Sequence, residues 1–493
     1  MKQPRFSIVI PTRNRSETLR AALETCLRQD FEDYEIVVCD NSDSGDAKRV
    51  TEEANSSRIR YLPSTRPLAM SANWERGLNE ARGEYVTVLG DDDGFMPFAL
   101  RELDVLATRT KAQAIQWNRG IYTWPTIGVA GEENLLQFTL SRTCVEVNAH
   151  AQIAKVIRYE AGSDSLPMIY CSVIHRDLIQ RHRDAAGRIF LNIYPDIYSG
   201  FGFGYLAGSY LSVSVPMNIA GLSHASNGVA TLMKKDRTAV SSDFDRLNAE
   251  FGYVPHPRVP RKMLLAPVHV ADSFLHAKDA LFPDDASLVL DRKAMTERYL
   301  GAIVETDPQD RAEVRDIIRA SVADDPDLLH WFDSDAPSPP PATLYSLRPR
   351  QLGFDGTTLN LQCDSFGVRD VAGAVELAAS VLRLDQGPIA YNLPSLLDMD
   401  LHVRAVQAHS ASVERNAAEA REQAAAELDR MLRERDAAQA HCADVQEQLQ
   451  RSVATTVRLQ QQLDEALRAG SLRFVPQRML RKIAAALKRP RGT

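Results

Sequence analysis

Cysteine is scarce and unpatterned in this chain: Cys26, Cys39, Cys144, Cys171, Cys363 and Cys442 are scattered over 493 residues without one CxxC pair. That argues against a disulfide framework and a zinc site, and it fits a reducing cytoplasm. The N-terminus, MKQPRFSIVIPT, runs directly into a short apolar stretch and lacks the long apolar region of a signal peptide. Excess positive charge is also missing. The net charge of −7 gives no overall bias toward nucleic acid, so no nucleic-acid partner is expected. One long uncharged stretch, Ile197 to Ser223, invites comparison with a membrane span, but it is rich in Gly and Ser and contains Pro216 and Asn218. It reads as a buried helix followed by a strand.

The chain does have enough apolar residues, at 44%, to bury a core, and length for roughly two to four structural units. From the start, strand and helix alternate. FSIVIP (Phe6 to Pro11), YEIVVC (Tyr34 to Cys39) and Ile59 to Leu62 read as strands; Arg15 to Gln29, Ala47 to Ala54 and Ser71 to Ala81 read as helices, with Ser16 as an N-cap for the first. A further strand, Tyr85 to Leu89, stops at Gly90 before three consecutive carboxylates, Asp91, Asp92 and Asp93. This order predicts a parallel sheet with helices on both faces and ligands at the carboxyl ends of the strands. Three of those ends are polar: Thr12 to Asn14, Asp40 to Ser42 and Asp91 to Asp93.

Three adjacent like charges are expensive unless a cation neutralises them, and hard oxygen ligands suit Mg²⁺ or Mn²⁺. The plainer alternative is an acidic turn in which Asp91 or Asp93 caps the helix beginning near Pro97. Asp40 after the second strand is placed either to bond a pyrimidine imide or to form an Asx-turn. Arg13 and Arg15 suit phosphate and solvent equally. Trp74 reads as core.

PTRNR (Pro11 to Arg15), VVCDNSD (Val37 to Asp43) and SANWERGLNEARGEYVTVLGDDD (Ser71 to Asp93), in that order, resemble the nucleotide-sugar domain of glycosyltransferase family 2, with the GT-A fold. The resemblance covers residues 5 to 125 closely and extends loosely to 230. It implies an α/β fold with a Rossmann-like nucleotide-diphospho-sugar transferase sheet, and inverting transfer of a sugar from a nucleoside diphosphate donor with a divalent metal, Mn²⁺ or Mg²⁺, on the diphosphate. The nucleotide-binding positions it implies are Pro11, Thr12, Asn14, Arg15, Asp40, Asn41, Asn73, Asp91 and Asp92, with Asp91 and Asp93 at the metal. The family's acidic motif has an acid directly after the strand where this chain has Gly90, so the division of labour among the three aspartates stays open.

Ala112 to Trp124 is expected to hold a fifth strand, Asn148 to Tyr159 a helix, and Pro167 to Ile174 another strand. Inverting displacement needs a base beside the acceptor hydroxyl, and the resemblance places it at Asp196, after Pro195 at a helix start, where an aspartate also serves as a cap. Asp164, in a Gly-Ser loop, is the rival. His224, in a Ser/Gly loop, is suited to metal or diphosphate, although a lone His usually ligates neither.

Four segments follow from these readings: a GT-A domain over 1–230, a mainly helical extension over 231–400, a coiled coil over 401–470 and a basic amphipathic tail over 471–493. Val403 to Ala469 contains no Gly or Pro, and Leu428, Met431, Ala438, Cys442, Val445, Leu449, Leu459 and Leu463 follow alternating three-and-four spacing, interrupted by Arg435, Ser452 and Thr456. Ser471 to Thr493 has seven basic residues and no acid, with Met479, Leu480, Ile483 and Leu487 on one face. The expected partners are a nucleoside diphosphate sugar, a saccharide or lipid-linked acceptor and further copies of the chain, and the expected place is the cytoplasm, with peripheral contact at the inner membrane face. A nucleotide-binding scaffold without turnover is the competing reading. A nucleotidyltransferase would want a glycine-rich loop after the first strand, which PTRNR is not.

Overall fold

The computed structural model describes residues 3–128, 131–224, 240–261, 265–306, 308–337, 352–384 and 390–392, and parts of 430–481, of which 443–462 are continuous. It divides into two compact units, Met1–Gln407 and Ala408–Thr493.

In the first unit the expected alternation is present: β1 (Phe6–Thr12), α1 (Ser16–Leu27), β2 (Tyr34–Asp40), α2 (Asp46–Glu53), β3 (Ile59–Pro63), α3 (Met70–Glu80) and β4 (Tyr85–Val88). β1 pairs in parallel with both β2 and β4, and β2 with β3. Side chains alternate between faces along each strand, and each face has its own core. Phe6, Ile8, Ile10, Tyr34, Ile36 and Val38 pack into one layer with Leu19 and Leu23 of α1, while Val9, Val37 and Cys39 pack into the other with Trp74 and Leu78 of α3. Ser16 does not cap α1: the N-cap position is Arg15 and no side-chain cap bond forms.

After β4 the chain changes sheets. β5 (Gly94–Phe95) belongs to a second sheet, α4 (Ala99–Thr110) returns, and β6 (Ala114–Trp117) joins the first sheet. The single strand expected over 112–124 is two strands, because the chain turns at Asn118–Arg119 and continues as β7 (Gly120–Thr123) in the second sheet. β8 (Leu135–Thr139), β9 (Thr143–Asn148) and α5 (Ala149–Ile157) follow, the last capped by Asn148 Oδ1 on the Ala151 N–H. The strand expected over 167–174 is a 3₁₀ turn at Ile169–Cys171 and a short β10 (Ser172–His175), antiparallel to both β4 and β6. Then come α6 (Arg176–Ala186), α7 (Pro195–Ala207), β11 (Ser209–Val213) and β12 (Asn218–Leu222). The uncharged stretch thus forms a buried helix and two strands, and among the described residues no helix is long and apolar enough to cross a membrane.

The described residues from 240 to 392 belong to the same compact unit as the first sheet. α8 (Val240–Glu250), α9 (Ala266–Leu281), α10 (Arg292–Ala302), α11 (Arg311–Ala320) and α12 (Pro326–Ser334) follow. Residues of α9 to α12 complete the core layer that holds Tyr198, Phe201 and Phe203 of α7, with Phe274 against Phe201 at 5.5 Å. β13 (Gly353–Phe354) and β14 (Thr358–Gln362) extend the second sheet from β8, α13 (Val371–Leu384) packs on α1 and β12, and β15 (Ala390–Asn392) adds in parallel to β9. The first sheet has the order β15-β9-β11-β6-β10-β4-β1-β2-β3 and the second β13-β14-β8-β7-β12-β5. The helical expectation for 231–400 missed these strands because their apolar runs are short.

In the second unit, 443–462 is helical, and Val445, Leu449, Val453 and Val457 are about half exposed. Leu428, Met431, Ala438, Cys442, Leu463 and the apolar residues of the basic tail lie outside the described residues.

At the α6–α7 contact His182 is fully buried, its ring 5.6 Å from Tyr198 and 5.3 Å from Phe203, and neither ring nitrogen has a hydrogen-bond partner. Burial pushes the imidazole down to about 4. An unfolded chain protonates the same group near 6.5. Above that pH both states are neutral and the residue contributes nothing. As pH falls below it only the unfolded state takes up the proton, so stability is lost progressively down to pH 4, about 2 kcal/mol of it by pH 5. His182→Leu should remove that component. Urea midpoints at pH 7.5 and 5.0 should show the unmodified chain losing about 2 kcal/mol more than the variant; equal losses would contradict a neutral buried imidazole.

Candidate active site

β1, β2, β3, β4, β6 and β11 all run the same way, since β6 and β4 are each antiparallel to β10 and β11 is parallel to β6. Their carboxyl ends form one edge, where ligands collect in open α/β sheets. Thr12, Asp40, the aspartate triplet and the Asn118–Arg119 turn all lie on that edge.

Beside it is a cleft of about 290 Å³ lined by Asn14, Arg15, Ser42, Ser44 and Asp46. Asn14 is left-handed, with φ 55°; its N–H donates to Ser42 Oγ at 2.8 Å and its Oδ1 accepts from the Asp43 N–H at 3.1 Å. The loops after β1 and β2 are therefore joined to each other. Asp40 forms the Asx-turn, accepting from the Ser42 N–H at 2.8 Å, and also accepts from the Tyr61 hydroxyl at 2.6 Å. Asn41 is bonded through both side-chain ends to the Leu68 backbone, and Asn73 Nδ2 donates to the Cys39 carbonyl. These asparagines hold the loops in place. Pro11 lies on β1 opposite Cys39.

The three aspartates are buried, and each has a different set of partners. Asp91 accepts from Thr12 Oγ1 at 2.7 Å and Arg15 Nη1 at 2.9 Å. Burial alone would lower the Arg15 guanidinium, but Asp91 and Asp92 outweigh it and hold it above its ordinary value. Asp93 accepts from the Gly221 N–H at 2.8 Å, the Gly90 N–H at 3.2 Å and the Tyr170 hydroxyl, although burial still raises its proton affinity. Asp92 accepts from Ser223 Oγ at 2.8 Å through one oxygen only. Burial, with Asp93 and Asp91 beside it, pushes Asp92 up to about 7. None of the three caps the next helix: α4 begins at Ala99 and carries no side-chain cap.

Expected as metal ligands, Asp91 and Asp93 are already engaged by protein donors, and His224 is exposed with Nδ1 3.4 Å from Thr126 Oγ1. Among the described residues no three His, Cys, Asp or Glu side chains form a ready metal cluster. Asp92 is the carboxylate with an oxygen to spare, and burial first, then the charges of Asp93 and Asp91, raises its proton affinity.

Asp196 stands in the first turn of α7, after Pro195; the N-cap position is Tyr194 and no side-chain cap bond forms there. Burial raises Asp196, opposed by the Ile197 N–H and by the positive charge of Arg119. Asp164 lies exposed in the 3₁₀ turn Ser163–Ser165. The sequence reading missed Arg119 and Tyr170. The Arg119 guanidinium sits over the Tyr170 ring at 5.0 Å, and Tyr170 stacks on Trp74 at 6.1 Å, which makes Trp74 both core and the base of this stack. The signal for Arg119 in the sequence is an asparagine–arginine pair between two apolar runs, AIQW and GIYT.

Residues 7–140 match the model of glycosyl transferase family 2. That segment holds Thr12, Asp40, the three aspartates and Arg119; Asp196 lies beyond it. Among curated proteins, a GalNAc(5)-diNAcBac-PP-undecaprenol beta-1,3-glucosyltransferase of Campylobacter jejuni is 38% identical over 103 residues, 20% of this chain and 33% of that protein. The amylovoran biosynthesis glycosyltransferase AmsB of Erwinia amylovora is 30% identical over 118 residues, 23% of this chain and 39% of its own. The chain thus spans about a third of the length of the curated relatives it matches. Among solved structures, S. aureus TarS 1-349 in complex with UDP-GlcNAc aligns at TM-score 0.37 and 15% identity, covering 67% of this chain and 90% of that one.

The acidic loop depends on Gly221. A Cβ there would lie 1.8 Å from the Asp92 carbonyl oxygen, a backbone atom with no rotamer to yield. Gly221→Ala should therefore displace the loop and cost about 3 kcal/mol, the upper end for overpacking. Gly45→Ala, with nothing within 4 Å of the new atom, should stay within about 0.5 kcal/mol. Thermal or urea unfolding of the two variants checks the contrast.

Proposed function

We propose that the chain is an inverting glycosyltransferase that moves a sugar from a nucleoside diphosphate donor to a saccharide or lipid-linked acceptor. The observation that carries the reading is the convergence of Asp40, the Asp91–Asp93 loop and Arg119 on one strand-end edge, in a segment that matches glycosyl transferase family 2. Asp40 and the loops tied by Asn14 and Asn41 form the nucleoside end. Asp196 is the base: its burial raises its proton affinity, which suits removal of a proton from an acceptor hydroxyl. A lipid-linked acceptor is supported by the printed names of two relatives, from Campylobacter jejuni and Escherichia coli, which act on undecaprenyl diphosphate-linked saccharides.

The donor set fits a divalent cation with one protein carboxylate, Asp92, the remaining positions being left to diphosphate oxygens and water, as is common for Mg²⁺ and Mn²⁺. When bound, such an ion acts as a Lewis acid on the leaving diphosphate. Asp91 positions Thr12 and Arg15, and Asp93 fixes the loop against β12. Calorimetry with UDP in Mn²⁺ and in chelator should show metal-dependent binding that Asp92→Asn abolishes and Asp196→Asn preserves. Asp196→Asn should lower transfer by about 10²-fold or more. UDP affinity that is the same in chelator would remove the metal role, and unaltered turnover would remove Asp196 as the base and leave Asp164 to be tested.

For the second unit, we propose self-association through the helix at 443–462. Val445, Leu449, Val453 and Val457 recur every four residues and are about half exposed, and an apolar stripe of this kind is buried only against another helix. The basic tail would add reversible attachment to anionic membranes at low salt. Light scattering should show a smaller species when everything after Asp400 is removed; a full-length monomer would refute the association.

A further inference from the structure

Arg119 lies on the same strand-end edge as the aspartate triplet, but the transfer described above gives it no role. It sits just after the carboxyl end of β6, where the chain crosses between sheets, and the two residues before it are anchored. The Asn118 N–H donates to the Val213 carbonyl at 2.9 Å and Trp117 Nε1 donates to Asn218 Oδ1 at 2.8 Å. A Cβ at Gly120 would lie 2.3 Å from Ile219 Cδ1, so the next residue packs closely on β12. The guanidinium carbon lies 5.0 Å from the Tyr170 ring centre, the Tyr170 hydroxyl bonds Asp93, and Tyr170 rests on Trp74.

The charge of Arg119 is felt by Asp93, Asp196 and Cys171, which lowers the proton affinity of each, and Arg119 in turn feels Asp164. It is therefore within electrostatic reach of both the acidic loop and Asp196. Yet it donates no hydrogen bond and makes no ion pair to any described residue; the Tyr170 ring is its contact. A half-buried guanidinium with five N–H donors and a fixed plane is suited to bidentate recognition of a phosphoryl group.

Resting on the transferase reading, we infer that Arg119 is a subsite for phosphoryl oxygens at the transfer centre, on the side of Asp196, taking a phosphate carried by the acceptor. The donor diphosphate offers the same chemistry, and the two sources separate experimentally. The test uses the full chain, with calorimetry of UDP in Mn²⁺ and of inorganic phosphate in the presence of saturating UDP and Mn²⁺, for the unmodified protein, Arg119→Met and Arg119→Lys. Near-ultraviolet circular dichroism checks that each variant is folded.

The expected result is that Arg119→Met leaves UDP affinity within twofold and weakens phosphate on the order of tenfold to a hundredfold, with Arg119→Lys intermediate because a point charge cannot bond in a fork. Loss of UDP affinity in Arg119→Met, with uridine affinity unchanged, would overturn the acceptor assignment and place the donor diphosphate on Arg119. Unchanged affinity for both ligands in both variants would overturn the subsite altogether. An unmodified chain that binds no UDP would count against the transferase reading instead. If Arg119→Met fails to fold, Arg119→Lys with unchanged phosphate affinity overturns the subsite by itself.

Discussion

Burying three consecutive carboxylates at one strand end is the costly step around which the first unit is arranged. Each aspartate is 5% exposed or less, and at such separations like charges repel strongly once water is excluded. The chain spreads the cost by giving each carboxylate different donors from distant segments: Thr12 and Arg15 for Asp91, Ser223 for Asp92, Gly221 and Tyr170 for Asp93. The triplet consequently ties β1, β12 and the 169–171 turn to the end of β4. The carboxylate with fewest protein donors is Asp92.

That arrangement works because the loop sits on a seam between two sheets. The chain passes from the first sheet to the second three times, after β4, after β6 and after β11, and the first two passages carry the aspartate triplet and Arg119. A strand that stays in its sheet presents backbone pairing along its length; one that leaves frees its last residues to face a ligand. Close approach at the seam explains why Gly221 lies against the Asp92 carbonyl and Gly120 against Ile219.

The sequence disclosed the parts of this molecule that repeat a period. β1 to β4 and their helices were legible from alternating and helical spacing, and the triplet from its unbroken charge. The site's inner layer was not. Arg119 and Tyr170 come from different segments and meet only because β6 and the 169–171 turn are adjacent in space, a long-range fact with no local signature. The roles of Asn41 and Asn73 were also hidden: as residue types they suit a nucleotide, and the fold uses them to bond backbone carbonyls, of Leu68 and of Cys39 at the end of β2. The strands at 353–392 were obscured for another reason, since pieces of two to five residues carry too little periodicity to stand out from helix.

The return of residues 353–392 to both sheets also shapes how the chain comes off the ribosome. β8 and β9 are made early, but their outer edges are covered only when β14 and β15 arrive more than two hundred residues later. Until then two strands present unpaired backbone, the kind of edge that nascent chains use to stick to one another. Closure over that sequence distance is entropically slow. Shortened forms ending near residue 230, cut to match the family 2 segment and its flank, would keep those edges permanently open, so poor solubility of such fragments would reflect missing partners for β8 and β9 and carry no information about the site itself.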